Sequence, residues 1–418
     1  MHLIIIGAGL SGLACAWWAR RAGFDATVLD ACTTVAEGAS HVPHVLALPT
    51  ALDPWFGTLP ETPLGGWPWQ RRRQAEHAEA ARTERAQRLA QWRAAAASAL
   101  AVLRAEDAAD GETDAGANEG EAPREGVLYV FRREADWQLA QTLAGAWPDA
   151  GAAPRWLGGA ECSAVEPALG EAADLLGGAW FEQAPFGNGA WLAKRLRHRL
   201  ARQGARVWLQ RRAERIALSR AGVTVEMSRA PAGAYDGAVA QGFVDPFARQ
   251  HARDEAPTRV EGDCLVLAAG AGSLPLLQAS GLAAPVLRHV WHGALTGEIG
   301  RLEHAPRRAV LDVARRVGIA RLDRRLRIWG ASEGESVTAL ERRVDAALGD
   351  APGGVMRRQR AARWQHRALL GADGLPLVRA LDPGQRIHLL LGGTTYGFAL
   401  PFALAETVME ALAGRAAG

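Results

Sequence analysis

The sequence predicts an α/β protein, in which a doubly wound, mostly parallel sheet is joined to a second part of α+β character built on a mixed sheet. Three observations carry this expectation. An apolar segment runs directly into a glycine fingerprint within residues 1–12, an acidic residue ends the next apolar segment, and the far end of the chain repeats the order of apolar strand, glycine loop and helix.

The first segment, Leu3 to Ile6, is continuously apolar, as a strand buried on both faces should be. It leads into Gly7, Ala8, Gly9, Leu10, Ser11 and Gly12. Gly7 permits the tight turn, Gly9 lets the backbone approach a pyrophosphate, and Gly12 allows the following helix to pack closely on the strand. The helix N-terminus offers amide donors and a partial positive charge to that anion. A glycine pattern alone also fits an ordinary loop, so the flanking residues decide. An Ala-rich helix from Leu10 to about Ala22 stops at Gly23, and the strand Ala26 to Leu29 ends at Asp30 and Ala31. Asp30 stands at the spacing of the carboxylate that binds the ribose hydroxyls of a dinucleotide, and it would repel a 2′-phosphate.

At 418 residues the chain suits two closely associated domains better than one. Hydrophobic residues at 49% and charged residues at 22% describe an ordinary soluble globular protein. The net charge of +3 permits a polyanionic partner without requiring it. Cys15, Cys32, Cys162 and Cys264 lie far apart with no CxxC pair, so neither a metal site nor a disulfide framework is indicated. The N-terminal apolar strand has no basic residues before it and is interrupted by glycines, and no apolar run reaches membrane-spanning length. A cytoplasmic location without membrane span or obligate protein partner is expected.

After Asp30 the chain reads as loop up to Trp67-Pro-Trp69, and then as helix from Gln70 to about Arg104, with Leu89, Trp92, Ala96 and Leu100 on one face. An acidic Gly/Ala-rich segment, 105–126, has little to bury and reads as a surface loop. Val127 to Phe131 restores a strand and Glu134 to Trp147 a helix. The segment 228–259 reads as an expanded hairpin or insertion following the strand Val223 to Val225. Later, Asp263 to Leu267 forms an apolar strand ending in Ala268, Ala269 and Gly270, where small residues let the backbone pass close to a ligand. Its counterpart is Ile387 to Leu391, followed by Gly392, Gly393, Thr394, Thr395, Tyr396, Gly397 and Phe398, and then by the apolar helix Phe402 to Leu412. In a doubly wound sheet such loops lie at strand C-termini, so both chain ends converge on one ligand.

These motifs, taken in order, resemble the FAD-dependent glycine and D-amino acid oxidase superfamily. Beyond the fingerprint and Asp30, the likeness includes Glu37-Gly-Ala-Ser40, similar to the flavin-contacting loop, where it implies Ala39 and Ser40 as contacts. It continues through Trp156 to Leu169 with its Glu-Pro-x-Leu ending, Gly178 to Phe181, Trp191 to Leu196, and Gly204 to Val207. A strand near Arg211 to Ile216 follows, whose backbone contacts the adenine in the family, near Ala213 here. Ala268 to Gly270, Gly330 to Ser332, Asp373 to Pro376 and the terminal loop complete the series. The Gly-Ala-Ser segments and Asp373-Gly-Leu-Pro376 look closest to the FAD oxidase that matures 5-carboxymethylaminomethyl-uridine in the tRNA wobble position, with glycine oxidase nearly as close.

The resemblance implies a Rossmann-like FAD-binding domain with non-covalent FAD and a second, mixed-sheet substrate domain. The expected division is 1–104, 186–282 and 372–418 for FAD, and 105–185 and 283–371 for substrate. The implied chemistry is oxidation of an amine C–N bond by hydride transfer to the flavin, so no conventional acid/base pair need be visible. Gly393 to Gly397 is the candidate for stabilising negative charge on the reduced ring. Two residues are candidates for the substrate. Arg367 resembles the family's carboxylate-pairing arginine but lies one residue further from Asp373 than the family spacing. Tyr396, one of three tyrosines, stands where the family's terminal loop often carries an arginine; it either reaches the pocket or packs before the last helix. His41, His44, His289 and His292 lack a metal-ligand pattern. The arginines 71–73 and Arg357, Arg358, Arg360 and Arg363 read as solvated faces or as contacts for tRNA phosphates. Three functions stay open: the tRNA-modifying oxidase, a small-molecule oxidase or dehydrogenase acting on glycine, a D-amino acid or an N-methyl amine, and a flavin-binding protein without turnover.

Overall fold

The computed structural model describes residues 1–37, 84, 87–89, 91–106, 124–144, 154–170, 174–230, 258–332, 338–339, 342–343, 356 and 361–417. A central sheet is formed by β1 (His2–Ile6), β2 (Asp25–Leu29), β6 (Arg206–Trp208), β10 (Cys264–Leu267), β16 (Leu377–Ala380) and β17 (Ile387–Leu391), in the order β16-β17-β10-β1-β2-β6. All neighbours are parallel except β16, which runs antiparallel to β17 at the edge.

Alternation along β1 sends Leu3 and Ile5 to one side and Ile4 and Ile6 to the other. Leu3 and Ile5 join the main core with α1 (Leu10–Arg21) and the last helix; Ile4 and Ile6 join a second core with Val225, Leu265, Leu267 and Leu277. Each such buried Leu or Ile contributes about 1.5–3 kcal/mol, which is why this strand can be so plainly apolar.

The helix of residues 91–106, α2, is anchored onto α1 by one carboxylate. Glu106 accepts the Trp17 indole N–H at 3.0 Å and the guanidinium of buried Arg199 at 2.6 Å, and it also pairs with Arg21. Arg199 belongs to α5 (Gly189–Arg202), which follows α3 (Glu134–Ala144) and α4 (Gly159–Val165). The expected helices at 70–104 and 134–147 are therefore described only in part.

An eight-stranded mixed sheet has the order β15-β11-β14-β13-β12-β3-β5-β4. Its strands are β3 (Arg124–Phe131), β4 (Arg155–Gly158), β5 (Gly177–Phe186), β11 (Leu287–Glu298), β12 (Ala309–Asp312), β13 (Val317–Leu322), β14 (Arg325–Ser332) and β15 (Ala362–Gly371). β3 begins earlier than its apolar run predicts, because Arg124 and Glu125 continue the pairing with β5 across a bulge before Val127. A small antiparallel sheet of β7 (Arg211–Leu218), β8 (Val223–Arg229) and β9 (Arg259–Gly262) covers the second core, and the β8–β9 pairing makes the predicted weak segment a connection within a hairpin.

One expectation requires correction. The terminal glycine loop is not the N-terminus of the last helix: Gly393–Tyr396 forms a 3-10 turn, after which α7 spans Leu400–Ala417, with α6 (Ser273–Ala279) preceding both in the chain. Pro401 explains the new start, since proline fits the first helical turn, where no N–H partner is lost. Among the described residues no helix is long and apolar enough to cross a membrane.

Candidate functional site

A cavity of about 770 Å³ runs along the C-terminal ends of β2, β1, β10 and β17, and its far wall is the edge strand β15. It lies within the size range of small-molecule and cofactor sites. Its outline follows from the glycines. Gly7 has φ +113°, and a Cβ there would lie 2.4 Å from the Ala268 carbonyl oxygen; a Cβ on Gly12 would lie 1.8 Å from the Gly7 carbonyl oxygen. No larger residue fits either position without moving backbone, so β1, β10 and α1 meet at a corner only glycine can make. No side chain caps the N-terminus of α1 and its first turn carries no acidic residue. Gly9, Leu10 and Ser11 bring that turn onto the cavity, which is the arrangement an anion requires.

At the β2 end, Asp30 is held by its own backbone surroundings. Its Oδ2 accepts the Ala8 N–H at 2.5 Å and its Oδ1 accepts the Cys32 N–H at 2.8 Å, while the Arg211 N–H donates to the Asp30 carbonyl. Cys32 is buried beside this carboxylate and Glu37, and burial first, then those two charges, push its thiol pKa upward. Glu37 folds the loop back by accepting the Thr33 hydroxyl and the Thr34 N–H.

At the opposite end the wall is made by Trp291, His366, Arg367, Ala368 and Leu369. His366 and Ala368 are buried while Arg367 between them is exposed, as alternation along β15 demands. The spacing expected for the family's arginine falls on Ala368, and the strand shows why the difference matters: one residue along β15 is the other face of the sheet. Burial, and then the positive charge of Arg367, lower the pKa of His366 to about 4, so its imidazole is neutral at pH 7. Among the described residues Arg367 has no ion-pair partner.

Of the predicted contacts, Gly7, Gly9, Leu10, Ser11, Asp30, Ala31, Ala213, Ala269, Gly270, Gly393, Thr394 and Arg367 line this one cavity. Ala8 and Gly12 shape it from behind, through the bond to Asp30 and the contact with Gly7. Thr395, Gly397 and Phe398 do not line it; Phe398 is part of the main core, and the buried Thr395 hydroxyl has no hydrogen-bond partner among the described residues. Ala39, Ser40, His41, His44, the arginines 71–73, Arg357, Arg358, Arg360 and the side chain of Tyr396 lie outside the described residues. His366, Trp291, Arg211 and Arg212 line the cavity without having been predicted to. For His366 strand alternation tells only that it and Arg367 face opposite sides of β15; that its side borders the cavity depends on long-range register.

The DAO family, FAD dependent oxidoreductase, matches residues 2–411. The chain belongs to this FAD-dependent oxidoreductase family. A D-amino acid dehydrogenase of Cereibacter sphaeroides (strain ATCC 17029 / ATH 2.4.9) is 26% identical over 434 residues, covering 100% of this chain and 92% of the relative. Glycine oxidase from Geobacillus kaustophilus superposes with a TM-score of 0.66 at 15% identity, covering 98% of this chain and 93% of that one. Iminodiacetate oxidase from Chelativorans sp. BNC1 gives 0.65 at 18% identity, covering 99% and 95%. These structures share the fold of the oxidoreductase, and they give a tRNA-directed activity no support. FAD is the cofactor of the family, and this chain's site fits it: Asp30 would take the ribose, the uncapped turn of α1 the pyrophosphate, and the ends of β10 and β17 the ring system, with Ala213 beside the adenine.

Proposed function

We propose that this oxidoreductase oxidises the C–N bond of a small amine that carries a carboxylate, an amino acid or an N-substituted amino acid. The observation that carries the reading is Arg367, a cation without an ion-pair partner among the described residues, on the cavity wall opposite Asp30. A guanidinium there offers a planar fork to a carboxylate. The relatives' activities on D-amino acids, glycine and iminodiacetate support the same class. Bound FAD supplies the acceptor for the hydride that leaves the carbon. What remains of the substrate is an imine, formed as the nitrogen lone pair becomes the second C–N bond and an N–H proton is lost, and water then hydrolyses it. The protein's share is to grip the carboxylate through Arg367 and set the carbon against the ring system, with 105–185 and 283–371 as the substrate domain.

Anaerobic mixing of the holoenzyme with D-alanine, glycine, sarcosine and iminodiacetate should bleach the flavin absorbance with at least one of them. Bleaching only by tRNA bearing the carboxymethylaminomethyl group would replace this reading with the tRNA oxidase, and bleaching by no amine would leave a flavin-binding protein without turnover.

A further inference from the structure

Arg367 has a neighbour on the cavity wall for which the proposed chemistry has so far assigned no task. Trp291 is its register partner on β11, and both residues line the cavity. The end of β15 shows what kind of pair they make. Gly371 donates its N–H to the Leu375 carbonyl and accepts the Gly374 N–H through its own carbonyl, so both groups point away from Leu287, its partner on β11. Backbone direction alternates with a period of two along an antiparallel strand, so Leu369 and Arg367 turn their backbone groups the same way. The position of Leu369 agrees: a Cβ built on Gly392 would lie 2.8 Å from its carbonyl oxygen, at the end of β17. Trp291 and Arg367 therefore form a non-hydrogen-bonded pair, the closer of the two antiparallel kinds, with both side chains on one face of the sheet.

Trp291 is half-buried and packs against the small core of Leu295, Leu326 and Ile328. Among the described residues its indole makes no hydrogen bond and no ring contact. The acids that line the cavity, Asp30, Glu37 and Glu214, stand at the other end, on β7 and on the residues after β2. The wall thus presents one cation and one aromatic surface side by side, with no acid beside them among the described residues that line it.

We propose that Trp291 and Arg367 bind the substrate together, the guanidinium taking its carboxylate and the indole packing on an apolar substituent of the adjacent carbon. The inference rests on the amino-acid reading above and narrows it. The substrate class is amino acids with an apolar side chain; glycine and iminodiacetate, which carry no side chain on that carbon, are poor substrates. Carboxylate and side chain leave the same carbon of an amino acid, and the two residues of such a strand pair stand about 5 Å apart, so one small molecule reaches both. Each methylene that covers the indole is withdrawn from water and strengthens binding about fourfold.

The test uses the FAD-loaded protein and three variants, Trp291→Phe, Trp291→Ala and Arg367→Met, each first shown to bind FAD with a wild-type circular dichroism spectrum. Acetate, butanoate and hexanoate carry a carboxylate and no nitrogen, so they bind without turnover, and calorimetric titration reads their affinities. Butanoate should bind the wild type about tenfold tighter than acetate. Trp291→Ala should cut that ratio to about twofold, Trp291→Phe should keep most of it, and Arg367→Met should weaken all three acids by a similar factor. A flat series in the wild type, or a slope that survives in Trp291→Ala, overturns the role of Trp291 while the carboxylate reading of Arg367 stands. Binding of no acid, or binding that Arg367→Met leaves unchanged, overturns the carboxylate reading and the proposal with it. Anaerobic flavin reduction then tests the class: the better enantiomer of leucine should reduce the wild type about tenfold or more faster than glycine or iminodiacetate, and Trp291→Ala should bring the rates within about twofold. Glycine or iminodiacetate reducing the wild type as fast as leucine overturns the class. Reduction by no amine overturns the amine reading and the class with it, while the acid series still decides whether Trp291 and Arg367 bind one molecule.

Discussion

Asp30 and Ala8 are joined by a 2.5 Å hydrogen bond from the Ala8 N–H to the Asp30 carboxylate, so the acid that ends β2 also ties down the turn that ends β1. The same carboxylate accepts the Cys32 N–H through its other oxygen. The group expected to bind ribose is thus preorganised by the backbone it helps to shape. Asp30→Ala leaves two backbone donors without their acceptor and would remove the group proposed to hold the ribose. A charge-assisted hydrogen bond contributes about 1.5–3 kcal/mol, so FAD affinity should drop by about 10–100-fold per bond lost to the cofactor, read by flavin fluorescence on titration. Asp30→Asn keeps one acceptor oxygen and should fall between the two.

Gly12→Ala should prevent the corner from forming. The nearest atom to the added Cβ is backbone, the Gly7 carbonyl at 1.8 Å, so no side-chain rotation can relieve it. Overpacking costs typically about 1–3 kcal/mol, and a clash with backbone belongs at or above the upper end. Expression of a colourless protein with a lowered melting temperature is the expected outcome; a yellow protein of wild-type stability would refute the geometry of this turn.

Glu166 gives a physical reason for a motif that the sequence offered only by likeness. Its carboxylate is fully buried and collects three backbone N–H groups, from Ala168 at 3.0 Å and from Arg307 and Arg308 at 2.7 Å each. It clamps the segment Pro167–Leu169 onto the approach to β12. Hydrogen bonds to a charged group contribute about 1.5–3 kcal/mol, so Glu166→Ala should destabilise the fold by about 3 kcal/mol in denaturant unfolding. Flavin absorbance of the surviving folded fraction should be unchanged, since Glu166 does not line the cavity.

Arg367→Met should raise KM for a carboxylate-bearing amine by about 10–100-fold, the range of one charged hydrogen-bonded contact, and should alter kcat far less. Arg367→Lys should recover only part, because an ammonium cannot match the planar fork. Steady-state kinetics with an amino acid and with its decarboxylated amine separate the cases: the variant should lose its discrimination between the two.

What was legible in the sequence were the features with strict local geometry. Gly7, Gly12 and Asp30 are dictated by close backbone approach and by the end of a parallel strand, and a linear pattern records such constraints directly. The placing of Gly393 and Gly7 on one cavity was legible as well, because loops at the C-termini of parallel strands fall on the same side of a sheet. The residues that escaped notice depend on long-range register. Nothing near His366 announces that β15 will border the loop after β10, and the orientation of Arg367 against Ala368 depends on a single step of strand register. The tRNA reading found no support among the relatives for a related reason: short Gly-Ala-Ser segments report backbone needs shared across many flavin sites and say little about the substrate.

The burial of His366 also makes stability depend on pH. In the folded protein its pKa is lowered from 6.5 to about 4 by burial and by Arg367, so over that interval the unfolded chain binds a proton that the folded chain does not. Stability is therefore complete above about pH 7 and declines as the pH falls from 6.5 toward 4, at a slope approaching 1.4 kcal/mol per pH unit, about the most a single group can supply. His2, whose pKa is also lowered by burial and then by the charge of Arg206, adds a background that the His366 variants share. Denaturant unfolding of wild type and His366→Gln at pH 7, 6, 5 and 4 should give curves that converge as the pH falls, because the variant has no imidazole to charge on unfolding. Arg367→Met should flatten the wild-type slope partway, since it removes the second cause of the shift. Parallel curves for wild type and His366→Gln would mean that His366 exchanges protons as freely folded as unfolded, and would place it in water instead of against Gly270 and Trp364.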